Sequence, residues 1–265
     1  MISNSKIWIV SDVDGTLMDH FYDLTPAKET INWLQRLGVP VILCTSKTKS
    51  EVKIIRDDLN LKDPYIVENG GAIYGEYTDG KEWEIILGKS YSILEKILNS
   101  LSENINFKLR PLNTLTDDEA TDLTGLEGES LNLMRDRHWS MPFLNPPQTF
   151  DEDLKRLCEI YAVDIFRGNR MSHLLSKNSN KGLAIKKLLN KSNNSNVQII
   201  GLGDSPNDLP LLINSDYKVV ISGIKGPNHI LLNQLKGTEF SISEKPHGYG
   251  WKDEVFKLIT MLLNT

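Results

Sequence analysis

The chain has 265 residues, 40% hydrophobic and 25% charged, with a formal net charge of −5 from 30 basic and 35 acidic side chains. That length suits one large domain or one domain carrying an insertion, and the composition is that of a globular protein rather than a disordered or fibrous one. The acidic balance excludes a global field that would draw the chain to nucleic acid or anionic lipid, so neither is expected as a partner, and an anionic ligand would need a local cationic pocket.

Ile7-Trp8-Ile9-Val10 is a short apolar run that stops at Ser11-Asp12, which predicts a buried strand ending in a polar loop. Ala27, Ile31, Leu34 and Leu37 recur at a helical period, so 26–37 is predicted as a helix with Gly38 as its stop. A second buried strand over 39–44 ends at Thr45-Ser46, and a helix follows over 50–61. A third strand, Tyr65-Ile66-Val67, ends at Glu68-Asn69-Gly70-Gly71. This βαβαβ alternation predicts a parallel sheet with helices on both faces. The rhythm then changes. Strands are expected at 83–87, 107–112, 130–135 and 164–176, and helices at 91–101 and 150–161. They read as an inserted α+β unit over 81–177, with 1–80 and 178–265 forming one core. The alternation resumes with a helix over 181–189, an Asn/Ser-rich loop at 190–196 and a fourth buried strand at 197–202 ending in Gly203-Asp204. A short helix over 208–214, a fifth strand at 217–221 and an amphipathic helix from about 251 to 263 complete it. Cys44 and Cys158 are too few for a disulfide framework and read as reduced thiols. Residues 1–6 are polar and no apolar run is long enough to span a bilayer, so a cytoplasmic protein is the expectation.

Ligands of open α/β sheets bind beyond the carboxyl ends of the strands. The loops at those ends carry Asp12, Asp14, Thr45, Ser46, Glu68, Asn69, Asp204, Asn207 and Asp208. A turn or a helix cap explains any one of these loops; it explains four converging on one edge poorly. Several carboxylates in one crevice repel one another and raise their own pKa values, so a cation is expected, and oxygen ligands suit Mg²⁺.

At this point the residues resemble a known family. Asp12-Val13-Asp14-Gly15-Thr16, placed after a buried strand, resembles the first signature of phosphatases of the haloacid dehalogenase (HAD) superfamily. Thr45 resembles the second signature, Lys181 in Asn180-Lys181-Gly182 the third, and Gly203-Asp204-Ser205-Pro206-Asn207-Asp208 the fourth, in family order. The implied fold class is α/β: a HAD-like Rossmannoid parallel-sheet core with an inserted α+β cap of C2 type. The resemblance implies Asp12 as nucleophile through an aspartyl phosphate, and Asp14 as general acid and base. It implies Thr45 and Lys181 as the phosphoryl grip. Mg²⁺ would be held by Asp12, the Asp14 backbone carbonyl and Asp204, with Asn207 and Asp208 in support.

Four segments resemble mannosyl-3-phosphoglycerate phosphatases: Val41 to Thr48 with its Ser46-Lys47-Thr48 loop, Met134 to Phe143, Arg167 to Leu174, and the tail Gly248-Tyr249-Gly250-Trp251. Met141 stands where that family has Glu, Asn169 where it has Gly, and Met171 where it has an aromatic. The resemblance implies a small-molecule substrate that is an acidic sugar phosphate, mannosyl-3-phosphoglycerate or its glucosyl analogue. Hydrolysis would yield the glycosylglycerate, a compatible solute. The binding candidates are Ser46, Lys47, Glu68, Asn69, Arg135, Ser140, Arg170 and His173, with Arg135 and Arg170 gripping the glycerate carboxylate bidentately. The alternatives are another sugar-phosphate phosphatase, acting on sucrose 6-phosphate or glucosylglycerol phosphate, or a phosphomutase. A non-catalytic sugar-phosphate sensor would lack the nucleophile or acid that Asp12 and Asp14 supply. Oligomeric state is not specified by the sequence.

Overall fold

A computed structural model describes residues 5–19, 21–168, 170–177, 179–192, 194 and 196–264. In chain order the elements are β1 (Ile7–Ser11), α1 (Thr25–Arg36), β2 (Val41–Leu43), α2 (Lys49–Asp58), β3 (Tyr65–Val67), β4 (Ala72–Glu76), β5 (Glu82–Ile86), α3 (Tyr91–Asn104), α4 (Asp117–Thr124), α5 (Gly128–Arg135), β6 (Ser140–Leu144), α6 (Asp151–Tyr161), β7 (Val163–Arg167), β8 (Met171–Ser176), α7 (Lys181–Ser192), β9 (Gln198–Gly203), α8 (Leu209–Ile213), β10 (Tyr217–Ser222), α9 (His229–Gln234), β11 (Ser241–Pro246) and α10 (His247–Leu263).

The core is a parallel five-stranded sheet of order β11-β10-β9-β1-β2. Its strands read as unbroken apolar runs because both faces are covered. Alternate residues of β1 and β2 serve opposite layers: Ile7, Ile9, Val41 and Leu43 pack with Ile31 of α1 and Trp251 of α10, while Trp8, Val10 and Ile42 pack with Ile185 and Leu188 of α7. Register sets the site. Ser11 of β1 lies beside Leu202 of β9 and Leu43 of β2, so the loops after these three strands emerge side by side at the carboxyl edge.

The third expected strand runs parallel beside the end of β2, as expected, but also starts a separate antiparallel sheet. β3 joins the large sheet only through a Cys44–Ile66 bridge and pairs antiparallel with β4, which pairs antiparallel with β5. Trp83 of β5 packs in the core layer beneath α7.

The inserted unit is a three-stranded antiparallel sheet, β6-β8-β7, covered by α3 and α6. Here three sequence expectations are corrected. Residues 130–135 are helical (α5), because Leu131 and Met134, three apart, face one apolar cluster with Leu112, Leu115 and Ala120. Residues 107–112 form no strand beyond a single Pro111–Phe143 bridge, since Pro111 has no N–H to give a ladder. The run 164–176 is a hairpin, β7 and β8, broken at Gly168, where a Cβ would lie 2.8 Å from the Met171 carbonyl oxygen; Asn169 lies outside the described residues. β4, β6, β11, α4 and α9 were not expected, and α10 begins at His247 rather than near residue 251. Met141 and Met171, two of the three departures noted above, are 0% and 5% exposed and fill the apolar clusters of this unit. No helix among the described residues is long and apolar enough to cross a membrane.

Candidate active site

The loop after β1 is a tight turn in which the Val13 carbonyl accepts the N–H groups of Leu17 and Met18, each at 3.0 Å. Gly15 has φ +80°, and a Cβ there would lie 2.7 Å from Asp204 Oδ2, so only glycine lets this loop approach the one after β9. Asp12 is 4% exposed, whereas Asp14 projects outward.

Lys181 opens α7, whose start is capped by Asn180 Oδ1 accepting the Leu183 N–H at 2.9 Å. A Cβ on Gly182 would lie 2.3 Å from the Pro210 carbonyl oxygen, which explains the Lys-Gly pair where α7 meets α8. The Lys181 ammonium is fully buried, 2.5 Å from Asp12 Oδ1 and 2.5 Å from Asp208 Oδ1. Burial opposes its charge, but Asp12 and Asp208 outweigh that and hold it protonated, well above the usual lysine range.

Asp12, Asp204 and Asp208 each place a carboxylate oxygen within 4.8 Å of the others. Burial first, then repulsion from Asp208, pushes Asp12 up to about 7 despite the attraction of Lys181. Asp204 is likewise raised by burial and by Asp208 and Asp12. The three acids are not equivalent as ligands. Asp208 Oδ2 accepts the N–H groups of Asp204 and Ser205, both at 3.0 Å, and Oδ1 is taken by Lys181, so its oxygens are already engaged. Asp204 Oδ1 accepts one hydroxyl, from Thr16 at 3.2 Å. Asp12 and Asp204 could hold a hard divalent cation, whose charge would favour the ionised form of both carboxylates.

Thr45 is buried beyond β2, with its N–H donating to the Ile66 carbonyl at 3.0 Å and Oγ1 accepting the Lys47 N–H at 3.1 Å. Lys47 is 7% exposed and lies 3.0 Å from Asp14 Oδ1, 3.5 Å from Glu51 Oε1 and 5.0 Å from the centre of the Tyr22 ring. Its pKa is raised: burial works against the charge, and Asp14 and Glu51 override it. A cleft of about 310 Å³ opens beside it, walled by Tyr22, Leu24, Ile55, Ser130 and Leu133.

The remaining candidates separate into two groups. Glu68, with φ +49° and 1% exposed, does not face the cleft. Its carboxylate accepts the His138 N–H at 2.9 Å, the Trp139 N–H at 3.1 Å and the Ser140 hydroxyl at 2.6 Å, so both Glu68 and Ser140 join the core to the insertion. Asn69 Oδ1 accepts from Asn207 Nδ2 at 3.1 Å, tying the loop after β3 to the loop after β9. Arg135 is turned away. It pairs with Asp117 Oδ1 at 2.5 Å and donates to the Leu115 carbonyl at 2.9 Å, fastening α5 to α4. Arg170 donates to the Thr124 carbonyl at 2.6 Å, and its charge acts on Tyr22 beside Lys47. His173 on β8 has an enclosed Nδ1 without a protein partner, and burial, then the Arg137 charge, lowers its pKa to about 3.

Arg137 is absent from the sequence-based candidates. It is 7% exposed and donates from Nη1 to the Ser46 carbonyl and to Ser140 Oγ, both at 3.0 Å. The signal for it lay in the helix mistaken for a strand: α5 ends at Arg135, and Arg137 starts the inward-running segment that becomes β6.

Residues 9–137 and 141–223 match the family model for the haloacid dehalogenase-like hydrolases. A glucosyl-3-phosphoglycerate/mannosyl-3-phosphoglycerate phosphatase of Persephonella marina is 29% identical over 269 residues, covering 95% of this chain and 96% of that protein. Among solved structures, a Thermoplasma acidophilum protein superposes with a TM-score of 0.69 at 21% identity, covering 97% of each chain. The sucrose-phosphatase of Synechocystis, solved with sucrose and phosphate, gives 0.66 at 16% identity, covering 95% of this chain and 97% of that one.

Proposed function

The chain belongs to the haloacid dehalogenase-like hydrolase family and is a phosphatase of that type; from that premise we propose that it hydrolyses glucosyl- or mannosyl-3-phosphoglycerate to the glycosylglycerate and phosphate, with Mg²⁺ as cofactor. The observation that carries the mechanism is the buried Lys181 ammonium, 2.5 Å from both Asp12 and Asp208. It draws the Asp12 pKa down against the burial and Asp208 repulsion that raise it, so that the anionic carboxylate is within reach near neutral pH. Asp12 attacks phosphorus in line, the ester oxygen leaves, and an aspartyl phosphate forms. Asp14, on the open side of the loop, gives its proton to the leaving C3 oxygen of the glycerate and then takes one from the water that cleaves the intermediate. Thr45 and Lys181 donate to phosphoryl oxygens, where charge grows in the transition state. Mg²⁺, held by Asp12, Asp204 and the Asp14 carbonyl, would screen the anionic nucleophile from the anionic phosphate. Asp208 and Asn207 fix the loop that presents Asp204.

The substrate reading draws on the activity for which the Persephonella marina relative is named, and on cations at the cleft. Lys47 and Arg170 stand by Tyr22 at the mouth and would receive the glycerate carboxylate. Arg135, engaged with Asp117, is set aside from that role. His173 and Arg137, on the insertion, would meet sugar hydroxyls. The test is phosphate release over a panel of sugar phosphates with Mg²⁺. The two glycosyl-3-phosphoglycerates are expected to be turned over best, and Asp12→Asn to abolish release. Preference for a neutral sugar phosphate would overturn the substrate; release by the Asp12→Asn protein would overturn the mechanism.

A further inference from the structure

The tail Gly248-Tyr249-Gly250-Trp251 lies far along the chain from the strand-end loops, yet it packs against the one that carries Asp12. The Trp251 indole N–H donates to Ser11 Oγ at 2.9 Å, and the Ser11 hydroxyl donates to the Asp12 carbonyl at 2.6 Å. His247 Nδ1 lies 2.9 Å from the Gly15 carbonyl oxygen. A carbonyl oxygen can only accept, so Nδ1 carries the proton. His247 is 6% exposed and holds φ +49°, a left-handed conformation uncommon outside glycine, in which Asn, Asp and His are the side chains most often found. The glycines allow the close approach: a Cβ on Gly248 would lie 2.8 Å from the Leu17 carbonyl oxygen, and one on Gly250 would lie 2.1 Å from that of Lys245.

From this geometry we infer that His247 and Trp251 are positioning residues for the phosphoryl-transfer step, bracing the 12–15 loop at both ends so that Asp12 and Asp14 keep their relative placement. The brace engages the carbonyls of Asp12 and Gly15, and the turn engages that of Val13. Asp14, between the two anchors, is the residue whose carboxylate projects outward, where any rocking of the loop is largest. A loop displaced by about 1 Å loses catalysis through misalignment rather than through substrate affinity.

The inference rests on the phosphatase reading, and the two fail differently. No phosphate release by the wild-type protein on any phosphomonoester would sink that reading. An active wild type whose brace variants match it would sink the brace alone. The measurement is kcat, KM and melting temperature for Trp251→Phe, Ser11→Ala, His247→Ala and His247→Asn, with calorimetric affinity for trifluoroberyllate, a phosphoryl mimic, as a readout free of turnover. Trp251→Phe loses the N–H together with part of a buried ring, so it is read beside Ser11→Ala, which breaks the same relay without touching α10. Trp251→Phe removes one hydrogen bond and Ser11→Ala two, so at a temperature well below the melting point of every variant kcat should fall roughly 3- to 10-fold or more at nearly constant KM, with trifluoroberyllate binding weakened in step. His247→Ala should behave likewise, and His247→Asn should restore most of the loss, because Asn tolerates positive φ and offers a side-chain N–H. Wild-type kcat in Trp251→Phe and Ser11→Ala, or a His247→Ala defect that Asn does not repair, would overturn the brace.

Discussion

Lys181 faces two carboxylates with a single charge, and Asp204 adds a third acid. The consequence is legible in Asp12, whose pKa is pushed up to about 7 by burial and by Asp208. Between pH 4 and 7 the folded chain therefore holds a proton that the unfolded chain has released, so without metal this site loses stability as pH rises through that window. Two outcomes follow. At pH 8 without metal, Asp12→Asn should melt several degrees above wild type even though it is inactive, the charge removed being worth on the order of a few kcal/mol. Mg²⁺ should raise the wild-type melting temperature more at pH 8 than at pH 5, since the ion binds the ionised acid. Differential scanning fluorimetry checks both; a lower melting temperature for Asp12→Asn at pH 8 would contradict the repulsion. At this scale the sequence is most legible where distinctive residue types sit in short segments at element ends: Asp12, Lys181, Asp204 and Asp208, from three such segments, lie together in the fold. Arg135 and Arg137 show the opposite. They are two residues apart in the same basic segment, and only knowing where α5 ends separates the one bound to Asp117 from the one bound to Ser46.

Elements of the core were read correctly where both faces are buried. β1 and β2 are continuous apolar runs, and their ends fixed the candidate residues. β11, Ser-Ile-Ser-Glu-Lys-Pro, sits at the sheet edge with mixed burial and gives no such run. In the insertion, elements are short and half-covered, so a two-residue spacing and a three-residue spacing look alike, as at 130–135. β8 carries the prediction at this scale. His173 is held neutral by burial and by Arg137, with a pKa near 3 against 6.5 for a free histidine. The unfolded chain binds the proton first as pH falls, so stability drops from about pH 6.5 downward until the folded pKa is reached. His173→Gln should flatten that part of the melting temperature against pH curve relative to wild type; parallel curves would show that His173 is charged or hydrated in the fold.

At the scale of the whole molecule, the insertion docks on the core through polar contacts at the strand-end loops. Besides Glu68 and Arg137, Thr48 Oγ1 donates to the Leu133 carbonyl at 2.8 Å and Trp139 Nε1 to the Tyr74 hydroxyl at 3.0 Å. Glu68 is the hub, since one carboxylate accepts three donors from 138–140. Glu68→Gln turns one acceptor oxygen into an NH₂ donor facing backbone N–H groups. Amide exchange at 138–140 should then speed up roughly tenfold or more while β1 and β9 stay protected; unchanged exchange would remove Glu68 from that role. The overall α/β class was recoverable from alternation alone, but the docking was not, because its hydrogen bonds join residues about 70 to 90 apart through backbone groups that no side-chain pattern reveals. The most direct test of the account is the rate of Mg²⁺-dependent phosphate release from glucosyl- and mannosyl-3-phosphoglycerate by wild-type protein and by Asp12→Asn. The account predicts turnover of one or both by the wild type, loss on chelation of the metal, and at least a thousandfold fall in Asp12→Asn, as expected for loss of a nucleophile. Comparable release by the two proteins would contradict it.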